Sequence, residues 1–192
     1  EKRIRYLNRV LAVLSGINSL VVRVDNLGQL YTEACDIAVR IGNFRMSLIG
    51  TLIPGTTKIE VVASAGKDDD LLAAIRSDLG SPAVASGTMM ARAILSGKAV
   101  VANNSQTDAQ VLLGRQYAER GVRSIAVLPL MVAEKAIGAI VMYASEVEFF
   151  HAEELRLLME LAGDIAFAVV HLGQRERLEY LAYFDELTEL PN

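Results

Sequence analysis

The sequence predicts an α+β domain in which helices lie on one face of an antiparallel sheet. Apolar residues recur at helical spacing over the first forty residues and again in a long segment from residue 152 onward. Between these segments the chain is β-branched and apolar, with runs separated by short turn sequences. Helices that are segregated from a series of strands bury their apolar stripes against one face of the sheet, which is the α+β arrangement.

Two helices are expected before the first strand. Apolar residues alternate by three and four from Ile4 to Val21, which gives a heptad-like stripe on one helix. The stretch Asp25 to Gly28 interrupts that pattern, and Gly28 is typical of a turn. A second amphipathic helix is predicted from Leu30 to Ile41, where Gly42 follows and ends it.

The middle of the chain begins with a predicted hairpin. Residues 44–54 and 58–66 are apolar and β-branched, and the turn sequence Pro54-Gly55-Thr56-Thr57 separates them. Residues 68–97 then predict helical and loop segments, of which residues 86–97 form the clearest helix.

Further strands follow this helical region. Residues 98–104 predict a short strand, and residues 111–120 a helix. Residues 123–145 predict two strands joined by a turn at Glu134-Lys135. Because proline cannot donate a ladder hydrogen bond, Pro129 within the first of these strands predicts an edge or a bulge.

One long helix is predicted from Ala152 to about Phe184. The stretch contains no proline, and its apolar seam consists of Leu155, Leu158, Ala162, Ile165, Val169 and Leu172. The apolar arc is wider than one contact surface requires, so we expect the first half to pack on both the sheet and a partner helix. After Leu172 the composition becomes charged, which predicts a projecting second half.

Composition excludes several classes of function. The net charge of −4 argues against non-specific nucleic-acid binding. No apolar run is long enough to span a bilayer, so we expect no membrane contact within this chain. Cys35 is the only cysteine, which rules out an intrachain disulfide and fits a cytoplasmic location. Cys35, His151 and His171 lack the spacing of a zinc site, so no cofactor or metal is expected.

Four stretches of this sequence together resemble a GAF domain. They are "RIRYLNRVLAVLSGINSLVVRV", "ACDIAVRIGNFRMSLIG", "RSIAVLPL" and "HAEELRLLMELAGDIAFAV". The likeness is stronger to GAF domains that precede bacterial diguanylate cyclase (GGDEF) modules. The final stretch resembles the start of such a module, usually D-x-L-T-G-L-P-N. The matching residues are Asp185, Leu187, Thr188, Leu190, Pro191 and Asn192, and Glu189 stands where glycine is usual.

This resemblance implies an organisation for the chain. Residues 1–24 are expected to form a signalling and dimerisation helix, residues 25–172 the GAF domain, residues 173–184 a linker helix, and residues 185–192 the start of a truncated GGDEF domain. The catalytic Gly-Gly-(Asp/Glu)-Glu-Phe loop is absent, so we expect a regulatory chain and not an enzyme. Homodimerisation is expected through the first and last helices, with Leu7, Leu11, Leu14, Leu158, Ile165, Val169 and Leu172 at the interface.

The resemblance also implies a pocket for an unknown small molecule on the sheet face away from the terminal helices. Polar residues that alternate with apolar ones on the first strand, or open a later strand, are the candidate ligand contacts. They are Arg45, Ser47, Thr51, Arg123 and Ser124. The competing interpretation makes the two serines small core residues and the two arginines surface strand ends.

Other GAF functions remain as alternatives to a sensor that controls a diguanylate cyclase. A ligand-free dimerisation scaffold would have its pocket packed shut. A cyclic-nucleotide-binding domain would carry an Asn-Lys-Phe-Asp-Glu motif, whose last part Phe149-x-x-x-Glu153-Glu154 resembles, although acidic residues also stabilise a helix N-terminus. Bilin attachment requires a cysteine near the pocket, and methionine-sulfoxide-reductase relatives need more than one redox cysteine, whereas Cys35 lies on the second helix.

Overall fold

The computed structural model describes residues 1–66, 68–184 and 187–191. Its elements are α1 (Lys2–Arg23), α2 (Leu27–Arg40), β1 (Met46–Leu52), β2 (Ile59–Ala65), α3 (Asp69–Gly80), a 3₁₀ turn (Ala85–Gly87), α4 (Met89–Ser96), β3 (Val100–Ala102), α5 (Gly114–Glu119), β4 (Ser124–Val132), β5 (Lys135–Ala144) and α6 (Ala152–Tyr183). None of the helices in the described ranges combines the length and apolarity needed to cross a membrane.

The strands form one antiparallel sheet in the order β2-β1-β5-β4-β3, which confirms the predicted α+β class. Two hairpins, β1–β2 and β4–β5, meet where β1 pairs with β5. Pro129 lies in β4 beyond Val127, the last residue that β3 pairs with. The register of β4 against β5 shifts between Leu130 and Met131. Pro129 therefore lies where β4 no longer pairs with β3, close to the shift in register, as predicted.

The two faces of the sheet carry different structures. On the central strands, Ala126 and Met142 belong to a core shared with α1, α2 and α6, and this side is called the helical face. Val127 and Tyr143 belong to a second core with α3, α4 and α5, and this side is called the cavity face. Because successive side chains alternate between faces, both central strands are buried on both sides.

Helices α1 and α6 run side by side in the same direction on the helical face. Near their first turns, Arg3 of α1 pairs with Glu154 of α6, whose side chain is fully buried. Towards the other end, Arg175 of α6 lies 3.8 Å from Asp25, which follows α1. Any shift of α1 along its axis is therefore opposed by polar contacts at both ends of the pair.

The buried stripe of α1 differs from the predicted one. The helix buries Tyr6, Val10, Val13, Leu14, Ile17 and Leu20. Ile4 and Leu11, which the sequence pattern placed on the apolar stripe, are 63% and 46% exposed. The buried face of α1 therefore lies at a different angle around the helix axis from the predicted stripe. Packing against a sheet and two helices requires a wider apolar arc than contact with a single partner helix does.

Most of the predicted dimer residues pack inside one chain. Leu158 and Ile165 are fully buried, Leu172 is 3% exposed and Leu14 is 8% exposed. These four side chains therefore have no surface to give to a second chain, which corrects their assignment to an interface. Leu7 and Val169 are partly buried against the same core. Of the seven residues, Leu11 keeps the most accessible surface, and dimerisation itself stays a prediction.

Two local boundaries also differ from expectation. The Asn26 side chain accepts a hydrogen bond of 2.9 Å from the backbone N–H of Gln29, so it caps α2 and the helix begins at Leu27. Gly28 therefore lies in the first turn of helix α2, whereas the sequence predicted that it would form the loop between α1 and α2. The helix expected over residues 111–120 is shorter, at Gly114–Glu119.

Arg9 of α1 connects the helix to two loops at once. Its guanidinium donates to the carbonyl oxygens of Gly42 and Asn43 at 2.7 and 2.9 Å, in the turn between α2 and β1. It also pairs with Glu146, in the loop between β5 and α6. The same group lies over the rings of Phe44 and Phe149, 5.3 and 4.7 Å from their centroids.

The C-terminal segment falls partly beyond what the structure describes. Asp185, Glu186 and Asn192, which belong to the predicted GGDEF start, lie outside the described residues. Within the described part, Leu187 and Leu190 are 95% and 62% exposed. The second half of α6 is mostly exposed, and the division of the chain at residues 24, 172 and 184 stays a prediction.

Gly138 allows β5 to approach β1, and its replacement tests that contact. A Cβ at this position would lie 2.3 Å from the carbonyl oxygen of Gly50. We expect Gly138→Ala to lower the free energy of unfolding by about 1–3 kcal/mol, because the strands must separate to admit a methyl group. The control is Gly163→Ala on α6, where an added Cβ meets nothing within 4 Å.

The control should raise the free energy of unfolding by up to about 1 kcal/mol, because alanine favours a helix interior over glycine. Urea denaturation of both variants measures the difference. A Gly138→Ala variant as stable as the parent protein would contradict the close approach of the two strands.

Candidate functional site

A cavity of about 60 Å³ lies between the cavity face of the sheet and the helices that cover it. Val127 of β4 and Val141 of β5 form part of its floor. Leu79 of α3 and Met90 of α4 form part of its roof. The lining is mostly apolar, as is usual for pockets that bind small molecules, but the volume is well below the roughly 300–1,000 Å³ of drug-sized sites.

Side-chain caps fix where the roof helices begin. The Asp68 carboxylate accepts a 3.0 Å hydrogen bond from the backbone N–H of Leu71 at the start of α3. The Thr88 hydroxyl oxygen accepts one of 3.1 Å from the N–H of Ala91 at the start of α4. Each cap satisfies a backbone donor that the first helical turn leaves free. These caps position the cavity-facing residues of both helices.

Two tyrosines, one from the covering helix α5 and one from the sheet, line the polar end of the cavity. Tyr117 of α5 and Tyr143 of β5 have ring centroids 5.5 Å apart, with their ring planes tilted by 40°. Burial, together with a smaller effect of the nearby Asp78 carboxylate, raises the pKa of Tyr117 to about 12. Burial also raises the pKa of Tyr143 well above its ordinary value. Both phenols are therefore neutral at physiological pH.

Two other polar residues of the lining already have partners. The Gln110 amide donates to the carbonyl oxygen of Val101 at 2.6 Å, and its own oxygen accepts from Arg92 at 2.8 Å. The Thr88 hydroxyl donates to the carbonyl oxygen of Ala85 at 2.8 Å. Neither side chain has a strong hydrogen-bonding group left for a ligand.

Asp78 of α3 is the polar residue of the lining that remains available. Its side chain is half-buried and makes no hydrogen bond or ion pair with the part of the chain that the structure describes. Together with the tyrosine pair, Asp78 gives the cavity a polar end, opposite apolar walls that can hold a hydrocarbon group.

The structure places three of the sequence-predicted ligand residues away from this cavity. Ser47 and Ser124 are fully buried on the helical face. The Ser47 hydroxyl donates to the carbonyl oxygen of Val141 at 2.9 Å, and the Ser124 hydroxyl donates to the carbonyl oxygen of Glu146. Thr51 follows the same alternation as Ser47 along β1, so it shares that face. None of the three lines the cavity.

The two predicted arginines do meet, but in a different place. Arg45 and Arg123 line an exposed groove at one end of the sheet, together with Arg120. The Arg45 guanidinium donates to the carbonyl oxygen of Arg120 at 3.0 Å, and Arg123 donates to the Gln106 side chain at 2.9 Å. Their role in binding a ligand stays a prediction, and the groove is separate from the cavity.

Cys35 lies on the opposite side of the sheet from the cavity. It is fully buried in α2 on the helical face. Burial raises the pKa of its thiol to about 12, so the thiol stays protonated and is a poor nucleophile at neutral pH. No group of three or more potential metal ligands occurs within residues 1–66, 68–184 and 187–191.

The residues that resemble the end of a cyclic-nucleotide motif have structural contacts here. Phe149 stacks on Tyr6 at a centroid distance of 4.4 Å and meets Phe44 edge-on at 5.3 Å. Glu154 pairs with Arg3 of α1. Both residues are buried on the helical face, so they hold α1 against the loop before α6 and do not reach the cavity.

Sequence reasoning missed Asp78, Tyr117 and Tyr143, which lie on α3, α5 and β5. A signal existed only for Tyr143, because a tyrosine inside an otherwise apolar strand needs a partner for its hydroxyl group. Asp78 and Tyr117 lie in short helices whose packing the pattern does not determine, so their meeting with Tyr143 required the tertiary structure.

The tyrosine pair predicts a loss of stability at high pH. An acid with a raised pKa in the folded state stabilises the fold below its ordinary pKa, and the contribution disappears as the pH rises towards the folded value. For Tyr117 this interval runs from pH 10.0 to about pH 12. We expect Tyr117→Phe to lose less unfolding free energy across this interval than the parent protein, as measured by urea denaturation.

The matched control is Tyr180→Phe, since Tyr180 is 45% exposed on α6. This variant should follow the pH dependence of the parent protein. Equal losses for the parent protein and Tyr117→Phe would contradict the burial of the pair.

Comparisons with known proteins agree with this architecture. The solved structure of free methionine-R-sulfoxide reductase from Neisseria meningitidis superposes with a TM-score of 0.70 at 14% identity, over 86% of this chain and 91% of that chain. The GAF domain of a phosphoenolpyruvate-protein phosphotransferase from Coxiella burnetii gives 0.70 at 13% identity, over 89% and 98%. The phycoerythrobilin-bound GAF domain of a cyanobacterial phytochrome gives 0.61 at 16% identity, over 87% and 97%.

At such low identities these likenesses show a shared fold and nothing about activity. Comparison with curated proteins gives no match. A sequence model of the GAF domain matches residues 25–170, which is most of the chain. The antiparallel sheet with its terminal helices on one face and a roofed cavity on the other is the arrangement expected of that family, and the chain belongs to the GAF domain family.

Proposed function

We propose that this chain is a regulatory sensor domain that binds a small molecule in the cavity and transmits its occupancy to α1 and α6. GAF domains are typically regulatory or sensory modules that bind small molecules. The observation that carries the proposal is a cavity that keeps a free carboxylate and a tyrosine pair among otherwise apolar walls. Such a combination lets the walls supply affinity while the polar groups fix the orientation of the ligand.

The central strands connect the cavity to the helices, because their side chains face both sides of the sheet. Along β5, Val141 and Tyr143 face the cavity, whereas Ile140 and Met142 face the helices. The loop after β5 contains Glu146, which pairs with Arg9 of α1. A ligand that changes the position of Tyr143 therefore acts on a strand that also contacts α1 and α6. The change requires that the ligand bind one packing arrangement more tightly than another.

The proposal treats the chain as non-catalytic. Two structures of similar fold are methionine-R-sulfoxide reductases. In this chain the one cysteine is Cys35, and the sheet separates it from the cavity. Its raised thiol pKa further opposes a nucleophilic role. The position of Cys35 therefore supports a sensor and not an enzyme.

A ligand-free dimerisation scaffold is the second candidate. The small volume of the cavity favours it, because about 60 Å³ leaves little room for a ligand unless the roof moves. In such a protein the cavity would be a packing imperfection, and the helices alone would carry the function.

We also propose that the domain works as a homodimer through the outer face of α1. Ile4, Leu11 and Val22 are 63%, 46% and 84% exposed. They are spaced by seven and eleven residues, close to two and three helical turns, so they share one side of the helix. A second copy of this face would cover apolar surface that a single chain leaves in water.

The proposed output is a diguanylate cyclase of the GGDEF class in the same protein, which would act in the cytoplasm. Support comes from the match of residues 185–192 to the start of that module and from the exposed, charged second half of α6. Synthesis of cyclic di-GMP by the intact protein tests this output. A protein without that activity under all ligand conditions would contradict it.

Filling the cavity separates the sensor from the scaffold. We expect the double variant Val127→Ile/Val141→Ile to fold with an unchanged or raised melting temperature, because each added methyl group occupies empty space. Native mass spectrometry should find a small molecule on the parent protein and none on this variant. Val132→Ile, at the far end of β4, is the control and should keep the bound molecule.

A scaffold would behave differently in the same experiment. The parent protein would carry no small molecule, and the filled variant would retain full regulation of the intact protein. That pair of results would contradict the sensor proposal.

Dimerisation is tested on the outer face of α1. We expect Leu11→Glu to convert a dimer to a monomer in sedimentation velocity, because a carboxylate cannot be buried there without a partner. Leu95→Glu, at a site on α4 that is 79% exposed, is the matched control and should remain dimeric. A parent protein that stays monomeric at high micromolar concentration would contradict the proposed dimer.

A further inference from the structure

We propose that the cavity takes a short primary alkylamine in its ammonium form, with the charged nitrogen at Asp78 and the tyrosine pair. This inference rests on the proposed function, since it names the chemical class of the ligand for the same cavity. It follows from the charge, the hydrogen-bonding capacity and the volume of the site.

The charge of the lining is negative. Among the described residues that line the cavity, Asp78 is the one that carries a charge, and no lysine, arginine or histidine joins it. Arg92 approaches the lining, but its guanidinium donates to the Gln110 oxygen at 2.8 Å. An anionic ligand would meet an unneutralised carboxylate in a partly desolvated space, whereas a cation would neutralise it.

The hydrogen-bonding groups left for a ligand are mainly acceptors. Gln110 and Thr88 are committed to protein partners. The Asp78 carboxylate accepts hydrogen bonds only, and phenol oxygens also accept them. Each phenol has one donor, whereas the carboxylate has none, so acceptor positions outnumber donors at this end of the cavity. An ammonium group with three donors and no acceptor matches that arrangement.

The remaining walls and the volume set the size of the ligand. Leu79, Met90, Val127 and Val141 provide apolar walls for a hydrocarbon chain. A space of about 60 Å³ holds roughly five non-hydrogen atoms, if one water-sized centre needs about 10–15 Å³. The n-butylammonium ion, with four carbons and one nitrogen, has this size. Its amine is protonated at pH 7, as a lysine side chain is.

Three probes of equal length test the inference. n-Butylamine hydrochloride, n-butanol and sodium n-butyrate are compared at pH 7, equal concentration and constant ionic strength, by thermal denaturation and by titration calorimetry. We expect n-butylammonium to raise the melting temperature and to bind about tenfold or more tightly than n-butanol, because hydrogen bonds to charged groups are the stronger ones. Butyrate should leave the melting temperature unchanged.

The variant Asp78→Asn tests whether the carboxylate causes the preference for n-butylammonium over n-butanol. The amide keeps the shape of the side chain but removes its charge, so n-butylammonium should lose its advantage over n-butanol in this variant. Asp69→Asn is the matched control, since Asp69 lies on the same helix, is exposed and does not line the cavity. This control should keep the preference of the parent protein.

The outcomes separate the inference from the proposed function. Binding of n-butanol as tight as that of n-butylammonium, or a preference for butyrate, would overturn the amine class while leaving a sensor for another small molecule. A preference for ammonium that persists in Asp78→Asn would also overturn it. If no probe binds, the inference fails, and the proposed function fails with it only when native mass spectrometry of the parent protein also shows no bound molecule.

Discussion

The burial of both faces of β4 and β5 is the constraint on which the rest of the structure depends. Residues from Ser124 to Leu130 and from Gly138 to Ala144 are all buried, although neighbours point to opposite sides. One side requires α1, α2 and α6 as a cover, and the other requires α3, α4 and α5. The cavity lies under the second cover, between the sheet and residues of α3, α4 and α5.

Polar contacts determine how the helical cover is oriented. The core under α1 is apolar and does not by itself fix the position of the helix along its axis. Arg9 fixes it through the turn before β1 and the loop after β5, and Arg3 fixes it through the buried Glu154. Loss of one partner from such a pair is costly, since the other charge stays buried. The loop after β5 is thus held to α1 at Glu146, and the first turn of α6 is held to it at Glu154.

The sequence predicted the antiparallel hairpins and the long α6 because their patterns are local. The hairpin turn predicted at Glu134-Lys135 lies one residue earlier, at Ala133-Glu134, but its existence needed no tertiary information, and neither did the unbroken run from Ala152 to Tyr183. The side of each strand did need it. Alternation placed Arg45, Ser47 and Thr51 on one side of the first strand, but it could not show that this side is the helical face and not the cavity face. The buried face of α1 was likewise ambiguous, since its apolar arc extends well beyond one stripe. Asp78 and Tyr117 meet only through packing between distant segments.

The size of the cavity limits how a signal can arise, but it does not forbid one. A ligand of roughly five non-hydrogen atoms can supply at most about 1.5 kcal/mol per atom, or about 7.5 kcal/mol in total. Moving a two-state equilibrium from 1:99 to 99:1 requires about 5.5 kcal/mol of difference between the states. Roughly three quarters of the binding energy must therefore distinguish one state from the other. Contacts shared by both states contribute nothing to that difference, so the two states must differ at the cavity itself. The Tyr117–Tyr143 pair is well placed to report such a difference, because Tyr143 belongs to the strand that leads to Glu146 and hence to Arg9 of α1.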